Sequence, residues 1–229
     1  MLYKEWIIVR TKFWVSLFIY GVVGLLFSVL AYPFRDSINP HSLFYDWLWT
    51  CCGITVLTGI LAGVDLVSEE IDKNTLSFLL TRPISREHIY RTKLGINAAA
   101  IAATFILSSL FVLWVDQLGS HPINLTTGLI GVIAVVLEAL TMTCLSGLIS
   151  IFARNTVSSM VIALATVTAG FFLLIVATNF LQVVATDLLQ IYPLRLEGPG
   201  GYGLVIIIMA LVGAVLYLAG LTAFRRREF

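Results

Sequence analysis

Residues 94–115 read LGINAAAIAATFILSSLFVLWV. Not one side chain in this run carries a formal charge. At a rise of 1.5 Å per residue a helix of this length reaches about 33 Å, enough to cross the roughly 30 Å hydrocarbon core of a bilayer. Arg86, Arg91 and Lys93 stand just before it, and the next basic residue after it is Arg154. A long apolar helix with cations at one end only has both a length and a direction in a membrane.

Five further stretches are comparably long and apolar. The candidate spans are Phe13–Pro33, Leu43–Val67, Leu94–Val115, Leu125–Phe152, Val157–Leu181 and Tyr202–Phe224, and none contains Lys or Arg. Alternation of period two is missing, which excludes a β-barrel. Composition agrees: 59% of residues are apolar and 12% are charged, about half the usual charged share near 25%. So few charges cannot cover a soluble globule, and so much apolar side chain excludes disorder. The sequence predicts an all-α, polytopic membrane protein with six transmembrane helices.

The basic residues sort by side. Lys4, Arg10, Lys12, Lys73, Arg82, Arg86, Arg91, Lys93, Arg154, Arg225, Arg226 and Arg227 fall on one side of this layout, and Arg35 and Arg195 on the other. The positive-inside rule then puts both termini in the cytoplasm. Residues 1–12, MLYKEWIIVRTK, mix aromatic and aliphatic side chains with charges, as a helix lying in the cytoplasmic interface does. Residues 182–201 are too polar to span and too apolar for a solvated loop, which predicts a short outer re-entrant segment. The chain is expected to form a single transmembrane domain over residues 1–229.

Chemistry-bearing patterns are sparse. His41, His88 and His121 fall in three different loops, without metal-ligand spacing. Neither the P-loop pattern G-x4-G-K-[ST] nor the nucleophile elbow G-x-S-x-G occurs. Glu138 stands near the middle of the fourth span, where an ionisable group costs on the order of 2.5–3.5 kcal/mol to insert. It reads either as a carboxylate on a pathway or subunit interface, or as a packing residue held by nearby hydroxyls. Glu69, Glu70 and Asp72 cluster at the end of the second span, as a solvated helix end or as ion-pair partners.

The longest cytoplasmic loop, SEEIDKNTLSFLLTRPISREHIYRTK at 68–93, carries the most information. Asn74 can end a helix in the left-handed conformation, and Thr75 can cap the next. Leu76, Leu79 and Leu80 share one face of a two-turn helix that Arg82-Pro83 stops. Ser85 caps a new helix with Glu87 in its first turn. Two turns of helix are not stable alone, so that apolar face needs a cover. The protein's own cytoplasmic helix ends could supply one, or a groove on a separate cytoplasmic protein.

The run Glu69/Glu70, Asn74-Thr75-Leu76, Leu79-Leu80-Thr81-Arg82-Pro83-Ile84-Ser85-Arg86 and Lys93 resembles the ABC-2 type transporter permease family. That family's pattern is a glutamate, Gly-Thr-Leu, a Leu-rich turn, Pro-x-Ser-Arg and a Lys opening the third span. Asn74 stands where the family commonly has Gly. The resemblance implies that residues 74–82 are a coupling helix. Thr75, Leu76, Phe78, Leu79, Leu80, Arg82, Pro83, Ser85 and Arg86 would then dock on an ABC ATP-binding subunit, with Glu69, Glu70 and Asp72 available for ion pairs. It further implies a second permease chain, as homo- or heterodimer, and an exporter in the plasma (inner) membrane. ATP and Mg would be bound by the partner ATPase, with no cofactor on this chain. The partners implied are proteins and membrane lipids, not nucleic acid. A channel or carrier working without ATP is the competing class, and it has no need of an apolar helix facing the cytoplasm.

Overall fold

In the computed structural model the described residues are 2–23, 26, 43–72, 85–118, 123–170, 172 and 199–227. Among them all regular structure is helical. Helix α1 (Leu2–Phe18) passes into a π-helical turn at Ile19–Val23. Then come α2 (Leu43–Val64), the short α3 (Ser68–Asp72), α4 (Arg86–Asp116), α5 (Leu125–Phe152), α6 (Thr156–Gly170) and α7 (Pro199–Arg226). Among the described residues three helices are long and apolar enough to cross a membrane: α4, α5 and the stretch Ile206–Arg226 of α7. The parts of the expected layout at residues 24–42, 73–84 and 173–198 fall largely outside the described residues.

Two helix starts follow from residue type. Ser85 accepts a hydrogen bond from the His88 amide at 3.3 Å and caps α4, as its place before Arg86-Glu87 predicts. Asn124 caps α5 by accepting from Thr126 N at 3.0 Å. The start of α4 extends about two turns beyond the apolar run, so Arg86, Glu87 and Arg91 belong to the same helix as the span.

Helix α5 is central and packs on α2, α4 and α7. Its small residues explain why. Ala139, Thr143, Ser146, Gly147 and Ser150 recur at helical spacing and are all buried. Facing them on α2 are Gly59 and Gly63, four residues apart. A β-carbon at Gly63 would lie 2.4 Å from the Thr143 carbonyl oxygen and 2.7 Å from the Gly147 amide nitrogen. Small residues at such a crossing let two backbones touch, which is how membrane helices associate where lipid removes the hydrophobic drive. Ser146 Oγ donates within α5 to Met142 O at 2.9 Å and approaches Gly59 O of α2 at 3.2 Å. Thr143 donates to Ala139 O at 2.8 Å. Thus buried hydroxyls at this crossing are satisfied without water.

A second device pins the end of the bundle remote from the basic residues. Asp116, at the last turn of α4, is buried. Its Oδ1 accepts from Phe44 N at 2.9 Å and its Oδ2 from Ile123 N at 2.8 Å. One carboxylate thus satisfies an orphan amide in the first turn of α2 and another just before α5. Beneath it lies an apolar cluster that includes Phe44, Trp47, Phe105 and Val112. Tyr20, in the π-helical turn, joins this cluster: its ring centroid is 4.2 Å from that of Phe105, and its hydroxyl meets Thr58. Trp47 Nε1 donates to the Tyr20 carbonyl at 3.2 Å.

Candidate functional site: the basic end of the bundle

Residues 73–84, the most informative part of the sequence, lie outside the described residues, and the described residues that flank them, around Asp72 and Ser85, form the candidate site. Helix α2 does not run straight into α3. The chain turns at Asp65–Val67, and Leu66 N donates to Gly63 O at 3.2 Å. Such a turn leaves amides at the start of α3 without helical acceptors. Ser150, on α5, supplies one: its Oγ accepts from both Val67 N and Ser68 N, each at 2.9 Å. Ser68 Oγ in turn donates to Val64 O. The cap of α3 therefore comes from a residue 82 positions away in sequence.

One turn along α3, Glu70 points inward. Its Oε1 lies 2.9 Å from Lys93 Nζ of α4, with the two side chains only 11% and 8% exposed. At that burial an ion pair is held in a low dielectric, and removing either partner takes away the opposite charge that offsets burial of the other. The acidic cluster thus divides: Glu70 is buried in a pair, Glu69 is half-buried and Asp72 is exposed.

Tyr90 joins α4 to both neighbours. It is buried, and its ring stacks on Phe224 of α7 with centroids 5.6 Å apart. The close approach is possible because two glycines face it. A β-carbon on Gly220 would lie 2.3 Å from the Tyr90 hydroxyl oxygen, and one on Gly147 would lie 3.4 Å from it. At the rim, Glu87 lies 3.1 Å from Arg225 and 3.6 Å from Arg91, and Arg86 Nη1 donates to Arg227 O at 2.7 Å. The end of α7 is therefore tied to the first turn of α4.

Of the residues expected to dock on a partner, Thr75, Leu76, Phe78, Leu79, Leu80, Arg82 and Pro83 lie outside the described residues. Ser85 is exposed at its cap, while Arg86 is half-buried and bonded within its own chain. Glu138 lies half-buried at the middle of α5, well away in sequence from this end. Sequence reading missed Ser150, the Glu70–Lys93 pair, Tyr90 and Asp116.

The described residues define an all-helical, membrane-embedded protein that is tied into the bundle on both sides of positions 73–84. The chain belongs to the ABC-2 transporter family: residues 27–197 match the family described as ABC-2 family transporter protein. Members are transmembrane permease subunits of ABC transporters and are not themselves ATPases; they work with an ATP-binding partner subunit. No curated protein matches this chain.

Proposed function

We propose that this chain is the permease of an ATP-driven exporter, and that residues 74–82 receive the motion of a separate ATP-binding subunit. The single observation that carries this reading is the anchoring on both sides of that segment. Asp72 ends a helix capped by Ser150 and paired through Glu70 to Lys93, and Ser85 opens a helix packed on α5 and α7. A lever needs rigid attachments, and a buried charge pair with a backbone cap supplies them. Thr75, Leu76, Phe78, Leu79, Leu80, Arg82 and Pro83 would then meet the ATPase groove, and exposed Asp72 would be placed to meet a cation beside it.

In this reading both termini, and the basic end as a whole, face the cytoplasm of a plasma membrane. Two permease chains act with two ATPase chains. ATP and Mg stay on the ATPase, and this chain contributes no bond-breaking chemistry. The test is co-purification from mild detergent with a tag on this chain. Wild type brings down an ATP-binding subunit with ATPase activity, and Leu79→Asp loses it while remaining monodisperse. An ATP-binding subunit retained by Leu79→Asp removes the docking assignment. No such subunit with wild type, even under gentle crosslinking, makes a self-contained channel or carrier the better reading.

A further inference from the structure

Of the three helices long and apolar enough to cross a membrane, α7 is the least enclosed. Its exposed side chains form a row. Ile208, Leu211, Val215 and Leu218 recur at helical spacing, and Arg225 continues the row seven residues past Leu218. Leu211, Leu218 and Arg225 are 63%, 56% and 70% exposed. At 1.5 Å per residue the row from Leu211 to Arg225 is about 21 Å long, and one leaflet supplies about 15 Å of the hydrocarbon core. The row therefore covers the apolar depth of one leaflet and ends in a cation at headgroup level.

Counting fixes the sign of the charge at that end. Glu87 faces two guanidiniums, Arg225 at 3.1 Å through Nε and Arg91 at 3.6 Å through Nη2. One carboxylate cannot neutralise both. Arg86 gives its Nη1 to a neutral acceptor, Arg227 O. Arg226 is exposed and forms no ion pair among the described residues. Among the described residues, then, Glu87 is the only carboxylate that Arg86, Arg91, Arg225 and Arg226 meet. Adding Arg227 and Glu228 from the sequence makes five cations against two carboxylates, and the sign does not change. Arg225 meets Glu87 through Nε, so its terminal nitrogens keep their donors. Such a planar fork of donors matches the oxygens of a phosphate.

Two occupants suit an apolar row in a membrane, a second copy of this chain and a lipid. A twofold contact brings the same patch of both chains together, so it would set the Arg225–Arg226 pairs at one depth as like charges. An anionic lipid meets the same row with the opposite sign. We propose that this face of α7 holds an anionic phospholipid of the leaflet at the basic end. Its phosphate rests on Arg225, Arg226 and Arg91, and one acyl chain lies along Leu218 and Leu211. This goes beyond the coupling reading and does not depend on it, because binding is read without an ATP-binding subunit.

The test uses the full chain in phosphatidylcholine nanodiscs doped with a phospholipid that carries a photoactivatable diazirine in one acyl chain. Phosphatidylglycerol is compared with phosphatidylcholine of the same chains, and the labelled peptides are mapped. Phosphatidylglycerol should label α7 around Leu211 and Leu218 severalfold more than phosphatidylcholine does. Arg225→Gln and Arg226→Gln should each lower that labelling by about fivefold, the effect of one guanidinium at an anionic surface. Arg10→Gln removes an exposed cation of α1 and the same net charge, and it should leave labelling of α7 unchanged. Inorganic phosphate should not compete. Equal labelling by the two lipids overturns the proposal, as does labelling spread evenly over α1, α4 and α7. So does an Arg10→Gln loss as large as that of the α7 variants, or unchanged labelling in those variants. Displacement by inorganic phosphate overturns it as well, since the site would then read a free anion. Should one α7 variant fail to purify as a monodisperse species, the other decides.

Discussion

At the scale of single residues, burial decides which contacts matter. Two ion pairs sit near each other at the basic end, yet they differ in kind. Glu70–Lys93 is almost fully enclosed, whereas Arg225 is 70% exposed in its pair with Glu87. Lys93→Met is expected to destabilise the protein by about 3–5 kcal/mol, because the buried Glu70 would lose the ammonium that faces it. Arg225→Ala is expected to change stability by less than about 1 kcal/mol, since exposed pairs gain little in water. Denaturant titration in detergent micelles, followed by tryptophan fluorescence, compares the two; equal effects would refute the ranking. Gly63→Ala is a purely steric case. Ser146 Oγ could rotate away, but the Thr143 carbonyl and the Gly147 amide are backbone and cannot. Overpacking of this kind costs about 1–3 kcal/mol. A lowered midpoint in the same titration, with no change for Gly95→Ala where nothing lies within 4 Å, is the expected result.

At the scale of elements, the sequence was legible wherever a helix could be read from its own residues. The uncharged run at 94–115 and the Ser85 cap both appear in α4, and α5 covers the run 125–152 from end to end. What could not be read is what one helix does for another. Nothing around residue 150 says that its hydroxyl caps a helix beginning at Ser68, and nothing around Asp116 says that its two oxygens serve α2 and the start of α5. Such contacts depend on which faces meet, and the hydrophobic pattern of an apolar membrane helix leaves its faces undistinguished, since lipid-facing and protein-facing side chains are alike. The same limit applied to the acidic cluster: three neighbouring carboxylates looked equivalent, and only packing turned Glu70 inward. Ser150→Ala tests the cap. Two amides lose their acceptor, which costs about 1–3 kcal/mol. Hydrogen exchange at Val67 and Ser68 is expected to quicken, with exchange in the middle of α4 unchanged.

At the scale of the whole molecule, the two ends of the bundle are built differently. The Asp116 end is gathered on one carboxylate, while the basic end is held by a cap, a buried ion pair and the Tyr90–Phe224 stack. Glu138 lies between these ends on α5, the helix that touches α2, α4 and α7. Glu138→Gln keeps size and hydrogen bonding but removes the charge. In the assembled complex it is expected to leave co-purification of the ATP-binding subunit intact while altering substrate-stimulated ATP turnover; unchanged turnover and transport would take this carboxylate out of the mechanism. The Ser150 cap has one more consequence for the assembly. Because two successive amides of the α3 start share a single oxygen on α5, α3 cannot be pushed, pulled or unwound without α5 either following or surrendering both bonds at once. Helix α5 is about 42 Å long at 1.5 Å per residue. In the proposed coupling, a nudge delivered beside Asp72 would be passed along α5 as the tilt of one stiff rod.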